Sequence, residues 1–224
     1  PGLLMHLKPA TGQPRPVGKA IVASLFKAED NGRIPIVGIC GTAGKTQVAQ
    51  LVASLLRLSG QHIGLACSAG LSFDNRVLDT RDCATWTAAQ KVLLNRNVEA
   101  AVIENSIATI LNEGLGYDRC QVGVITNLDP AQHLGECYIE TPEQVCNVLR
   151  TQVDVVLENG VAVLNADDVL VADMAQYCDG EVLLFAQDMQ VLQAHRQQGG
   201  RAVAIRDGEL FLCTGESEKV LLKL

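Results

Sequence analysis

Short apolar runs separated by polar, glycine-bearing breaks recur along the chain at the spacing of strands that alternate with helices. Residues 34–39, 62–67, 100–103 and 122–125 are runs of the kind that is buried on both faces in a parallel sheet, and the last two end in the polar residues Glu104 and Asn127. Between them the apolar positions change to helical spacing. Residues 45–58 are predicted to place Val48, Leu51, Val52 and Leu55 on one buried face and to stop at Ser59-Gly60. A polar excursion passes through Asp74-Asn75-Arg76, and a further helical stretch covers residues 87–94. Thr141-Pro142-Glu143 opens a helix with a cap, a proline in its first turn and an acid near its positive end. Asn159-Gly160 is expected to turn that helix into a strand over residues 161–164, and Asp167 to start another helix. From Gly180 onward come short strands at 182–185, 202–205, 210–213 and 220–222, a β-rich edge. The alternation predicts an α/β fold: a mostly parallel sheet flanked by helices, with the carboxyl ends of the strands lining a cleft.

Residues 1–16 read as a linker from a preceding domain that closes on Pro14-Arg15-Pro16, and the domain proper, residues 17–224, opens with a short amphipathic helix over 17–26. At 224 residues and 48% hydrophobic the chain can bury a full core. Net charge −7 and the lack of any basic run argue against a nucleic-acid or anionic-membrane surface as the main partner. Eight cysteines stand singly without a CxxC pair, a pattern of reduced, buried thiols in a cytoplasmic protein and not of a disulfide scaffold or zinc site. No apolar stretch reaches membrane-spanning length, and the start at Pro1 suggests a piece of a longer chain.

The candidate chemistry lies where the first buried run breaks into Gly41-Thr42-Ala43-Gly44-Lys45-Thr46. Glycines at 41 and 44 let backbone N–H groups approach anionic oxygens, Lys45 adds a point charge, and the helix that starts there aims its positive end at the same place. The Thr46 hydroxyl is placed for an accompanying Mg2+. The usual phosphate loop has a glycine where this chain has Ile39, so a ligand-free strand-to-helix turn is the competing reading. For Glu104 the competitor is a helix N-terminal acid, for His133 a surface histidine, and for 165–168 a plain turn and helix cap. His6, His62 and His195 belong to no constellation, and Trp86 reads as core or rim packing.

The order of Gly41 to Thr46, Glu104 at a strand end, Thr126-Asn127 with His133-Leu134-Gly135 beyond, and Leu164-Asn165-Ala166-Asp167-Asp168 resembles the central ATP-binding domain of the Mur ligases. Within that family it is most similar to the Mur-type half of the cyanophycin synthetases, which is joined to an ATP-grasp half. The resemblance implies an ATP-dependent carboxylate–amine ligase that works through an acyl phosphate, with arginine addition to aspartate side chains as the family reaction. It implies ATP and Mg2+ as cofactors, an aspartate/arginine polymer as substrate, a linked ATP-grasp domain, a C-terminal Mur lobe and a homo-oligomer. Carried over by position, Gly41, Thr42, Ala43, Gly44, Lys45 and Asn127 serve the phosphates, Asn165 and Asp168 the nucleoside, and Thr46, Glu104 and His133 the metal, with Lys45, Glu104 and His133 as the catalytic set.

Departures from the family pattern accompany the matches. Ala43 stands for the loop asparagine and Gln47 for a threonine. Ile107-Ala108-Thr109 replaces an Arg-Gly-Gly stretch, and Gln132 replaces the aspartate before the histidine. Leu149, flanked by Arg150, takes the place of a lysine that in many Mur ligases is carbamylated and holds a second Mg2+. Two readings follow: a working ligase half, whose fragment alone is not expected to turn over, or a degenerate module that serves as scaffold and oligomerisation surface beside an active ATP-grasp half. A third, an unrelated P-loop kinase or GTPase, lacks an Asn-Lys-x-Asp segment or an arginine-rich lid to support it.

Overall fold

The computed structural model describes residues 6–7, 11, 15–25, 32–132, 134–135 and 137–223. Contacts divide the chain into two units, Pro1–Ile34 and Pro35–Leu224. In the first, His6–Leu7 pairs antiparallel with Arg15–Pro16, and helix α1 covers Gly18–Leu25.

The second unit is an eleven-stranded sheet with helices in its crossovers. In chain order its elements are β1 Ile36–Cys40, α2 Lys45–Leu58, β2 Ile63–Cys67, β3 Gly70–Phe73, β4 Arg76–Asp79, α3 Trp86–Leu93 and β5 Ala100–Glu104. There follow α4 Ile107–Glu113, β6 Cys120–Ile125, α5 Pro142–Asp154, β7 Val156–Asn165, α6 Val169–Ala172 and β8 Glu181–Ala186. The chain closes with α7 Gln193–Gln197, β9 Arg201–Arg206, β10 Glu209–Thr214 and β11 Ser217–Lys223. The strand order is β11-β10-β9-β8-β7-β6-β1-β5-β2-β3-β4. The strands from β9 through β2 are parallel, and an antiparallel hairpin closes each edge. The mostly parallel sheet and its β-rich C-terminal edge are therefore as the sequence predicts. With β1 central, the carboxyl ends of β2, β5, β1, β6 and β7 meet along one side.

The bounds of α2 match the expectation, but its buried face does so only in part: Val48 and Val52 pack partly buried against the core. Ala49 and Ala53 are fully buried against the sheet, whereas Leu51 and Leu55 are 60% and 57% exposed. Small residues let the helix lie close upon β2 and β5, so the alanine stripe won over the leucine stripe. The turn expected at Asn159-Gly160 is also absent, because both residues lie inside β7. A register irregularity opposite Cys120 and Val122 absorbs them, and Gly160 packs where a Cβ would be 2.6 Å from the Gln121 carbonyl. Asp74 and Asn75 form the turn of the β3–β4 hairpin, with Asp74 at φ 51°, and Arg76 opens β4 opposite Phe73. Helix α4, which periodicity did not announce, starts at the Ser106 cap, whose Oγ accepts from Thr109 N at 3.0 Å. All eight cysteines are free thiols, and five are buried.

Two polar devices brace the sheet. At the β3–β4 tip, His62 Nδ1 lies 2.9 Å from Asp74 Oδ2. The bond to Asp74 raises the His62 pKa above its ordinary 6.5, and bonds from His62 and the Ile63 amide lower that of Asp74. The stabilisation from His62 is complete below pH 6.5 and is lost as pH rises through its raised pKa; that from Asp74 is lost as pH falls through its lowered one. Thermal melts of His62→Ala are accordingly expected to lack the part of the wild-type decline that sets in above pH 6.5.

Beneath β1, Asn105 Nδ2 donates to Tyr117 OH at 2.7 Å and to Gln152 Oε1 at 2.9 Å, while the Tyr117 hydroxyl donates to Gln152 Oε1 at 2.7 Å. Gly38 makes room for this buried network: a Cβ there would strike the Tyr117 hydroxyl and lie 2.6 Å from the Gln152 amide. Gly38→Ala is expected to cost about 3 kcal/mol, read as a lowered urea midpoint, since overpacking is compounded by broken buried hydrogen bonds.

Candidate functional site

The loop between β1 and α2 approaches the end of β6 closely. Gly41 has φ 136°, and a Cβ on it would strike Thr126 Oγ1 and come within 2.9 Å of the Asn127 carbonyl, so only glycine fits. Thr126 Oγ1 donates to the Ala43 carbonyl at 2.7 Å. Asn127 Oδ1 accepts from the loop at Thr42 N (3.1 Å), Thr42 Oγ1 (3.0 Å) and Ala43 N (2.8 Å), donors that also fix which carboxamide atom is the oxygen. Gly44, at φ 78°, precedes α2 without any side-chain cap, which leaves the positive end of that helix uncovered by its own chain. Lys45 Nζ lies 3.4 Å from the Thr42 carbonyl.

In the first turn of α2, Thr46 faces a carboxylate. Glu104, at the end of β5, is 1% exposed. Its Oε1 accepts from Thr46 Oγ1 at 3.2 Å and from Ser68 Oγ at 2.9 Å, and its Oε2 accepts from Ser68 N at 2.9 Å. A buried carboxylate, two hydroxyls and an uncapped helix terminus thus converge beside a glycine loop. Hard oxygen donors of this kind suit Mg2+, which retains several waters and needs few protein ligands. No group of three or more His, Cys, Asp or Glu able to hold a metal occurs among the described residues, so a cation here would rest on the single carboxylate of Glu104, the Thr46 hydroxyl and a ligand's own oxygens.

Asn165 and Asp168 reach the same edge from β7. Asn165 Nδ2 donates to the Thr126 carbonyl at 2.9 Å, and its Oδ1 accepts from Asp167 N at 3.0 Å. Asp168 accepts from Leu128 N at 2.7 Å through Oδ2 and caps α6 through Oδ1. Both therefore brace the segment after β6. His133 lies outside the described residues.

The positions that depart from the resemblance have other employment. Leu149 is fully buried in α5 and Ile107 is 2% exposed at the start of α4. Arg150 pairs with Asp154 at 3.3 Å and stacks on Tyr177, which directs it away from the role of the missing lysine. Gln132 Nε2 donates to Asp129 Oδ2 at 2.8 Å. The Cys40 thiol, at the root of the loop, is pushed well above its ordinary pKa by burial and stays protonated. Two cavities, of about 570 and 650 Å3, lie against Arg196, Arg206 and Glu218 and around His62 and Asp74, and neither includes the loop, Glu104 or Asn127. Ser68 was missed in the sequence, although it ends an apolar strand just as Glu104 and Asn127 follow theirs.

The family model for the Mur ligase middle domain matches residues 39–214. The chain is 35% identical over 218 residues to the cyanophycin synthetase of Trichormus variabilis, an alignment that covers 96% of this chain and 24% of that protein. It therefore spans only a fraction of the length of the curated relatives it matches. Among solved structures, a UDP-N-acetylmuramoyl-L-alanyl-D-glutamate–2,6-diaminopimelate ligase superposes with TM-score 0.63 at 19% identity, over 84% of this chain and 39% of that one. The MurF ligase of Thermotoga maritima in complex with ADP superposes with TM-score 0.52 at 15% identity, over 89% of this chain and 41% of that one.

Proposed function

The chain belongs to the Mur ligase family, through a middle domain that covers residues 39–214, and on that footing we propose that it binds ATP as part of an amide-forming ligase. The observation that carries this reading is the meeting of Thr46 and Glu104 at 3.2 Å beside the glycine loop, at the uncovered start of α2. In it the amides of the 41–46 loop and the Lys45 ammonium receive the β- and γ-phosphates, while Thr46 and Glu104 hold Mg2+. The cation would supply charge neutralisation on the phosphate oxygens. His133 is assigned to the same metal side, and Asn165 and Asp168 to the nucleoside, which they approach through the segment after β6.

The reaction proposed for the whole protein follows from its relatives. A substrate carboxylate oxygen attacks the γ-phosphorus and ADP leaves, and then an amine nitrogen attacks the acyl carbon, loses its proton, and inorganic phosphate leaves. Cyanophycin synthetase similarity points to arginine as the amine and an aspartate side chain as the acid, with an attached ATP-grasp domain, a C-terminal lobe that completes the site, a homo-oligomeric assembly and a cytoplasmic setting. The contribution of this chain is positioning and electrostatics: Lys45 draws charge from the phosphates, and buried Glu104 fixes where positive charge collects.

The buried Leu149 and Ile107 favour a second reading, in which the domain is a scaffold beside an active ATP-grasp half. The two separate in one assay on the full-length protein, ADP release and amide formation from an aspartate-rich acceptor and arginine. Loss of arginine transfer in Lys45→Ala is the outcome expected of a working site; full transfer in that variant supports the scaffold.

A further inference from the structure

Glu104 is held at both carboxylate oxygens by one residue from another strand. Ser68, immediately after β2, donates its backbone N–H to Oε2 and its hydroxyl to Oε1, each at 2.9 Å. The third bond, from Thr46, is the longest at 3.2 Å, and it points toward the loop. The terminal torsion of a glutamate is soft and roughly two-fold, so a single bond would leave the carboxylate free to swing. Two bonds from one anchored residue fix both its plane and which oxygen faces α2.

We propose that Ser68 is a positioning residue that orients Glu104 as a cation ligand. The proposal rests on the reading of Glu104 and Thr46 as the Mg2+ site. Both Ser68 donors are committed to the carboxylate, so Ser68 acts through Glu104 and not upon the cation. The 3.2 Å Thr46–Glu104 bond is the one a cation displaces, and what remains to hold the carboxylate is the Ser68 grip. Ser68 itself is exposed at the strand end, so its side chain contributes little to the core. It also joins β2 to the β3–β4 hairpin.

The test uses Mn2+ as the probe, its binding to the ADP-loaded full-length protein followed by electron paramagnetic resonance, with ADP affinity in EDTA measured alongside. Ser68→Ala is expected to weaken Mn2+ binding about tenfold, the low end for loss of a partner behind a metal ligand. ADP affinity without metal should stay unchanged, and Ser68→Thr, which keeps both donors, should restore wild-type Mn2+ affinity. A role confined to folding would lower the melting temperature of Ser68→Ala and leave the Mn2+ affinity alone. That result, together with loss of Mn2+ binding in Glu104→Gln, overturns the positioning role while the site stands. Absence of Mn2+ binding in the ADP-loaded wild type overturns the site and the positioning role together.

Discussion

Lys45→Ala is expected to weaken ADP and ATP binding by at least a hundredfold, on the order of 3 kcal/mol, while the melting temperature of the domain changes little. The asymmetry follows from how Lys45 is held. Its ammonium makes a long 3.4 Å contact with the Thr42 carbonyl, a weak bond whose loss costs the fold almost nothing. With phosphates in the loop, the same ammonium becomes a charge-assisted donor at the centre of a cluster of negative oxygens. Calorimetry on the variant and the parent reads the loss directly, and equal affinities in the two proteins would refute the phosphate cradle.

Asn127→Asp is expected to abolish nucleotide binding as well, but with the opposite effect on the empty domain. The carboxamide oxygen already lies 2.8–3.1 Å from the amides of Thr42 and Ala43, the donors that phosphate oxygens would use. A carboxylate in its place strengthens those bonds, since charge-assisted bonds are roughly twice as strong as neutral ones. Against an incoming phosphate it adds repulsion of about 4 kcal/mol at ~4 Å and an effective dielectric of ~20. Thermal melts should therefore show an empty domain as stable as the parent or more so, and titration should show affinity lost by more than a hundredfold. Asn127→Ala serves as the complement: it releases the loop amides, so it should lower the melting temperature and retain ADP binding.

What the sequence made readable were features whose cause is local. Residues 100–103 and 122–125 had to be buried strands because little but β-branched and small apolar side chains fills them, and Gly44-Lys45-Thr46 had to follow a strand and open a helix for the cradle to make sense. The hidden features depend on the order of strands in the sheet. Nothing in the spacing of Ser68 and Glu104 says that they touch; they do so because β2 and β5 are neighbours whose parallel register brings Ala66 beside Ile103. Asn127 reaches Thr42 for the same reason, since β1 and β6 pair with Cys40 beside Ile125. The choice of Ala49 and Ala53 over Leu51 and Leu55 as the buried face of α2 was settled by close helix–sheet packing, which hydrophobicity alone does not encode. Asn159-Gly160 carried a true turn signal that the neighbouring strand overrode with a bulge.

The central claim is that the loop from Gly41 to Thr46 is a phosphate cradle completed by Glu104. Its most direct measurement is calorimetric titration of the domain with Mg-ATP and with a nonhydrolysable analogue, repeated in EDTA and on the full-length protein. The account predicts micromolar binding that weakens when Mg2+ is withheld and is gone in Lys45→Ala. Folded protein that gives no binding heat with either nucleotide, in the domain and in the full-length chain alike, would contradict it.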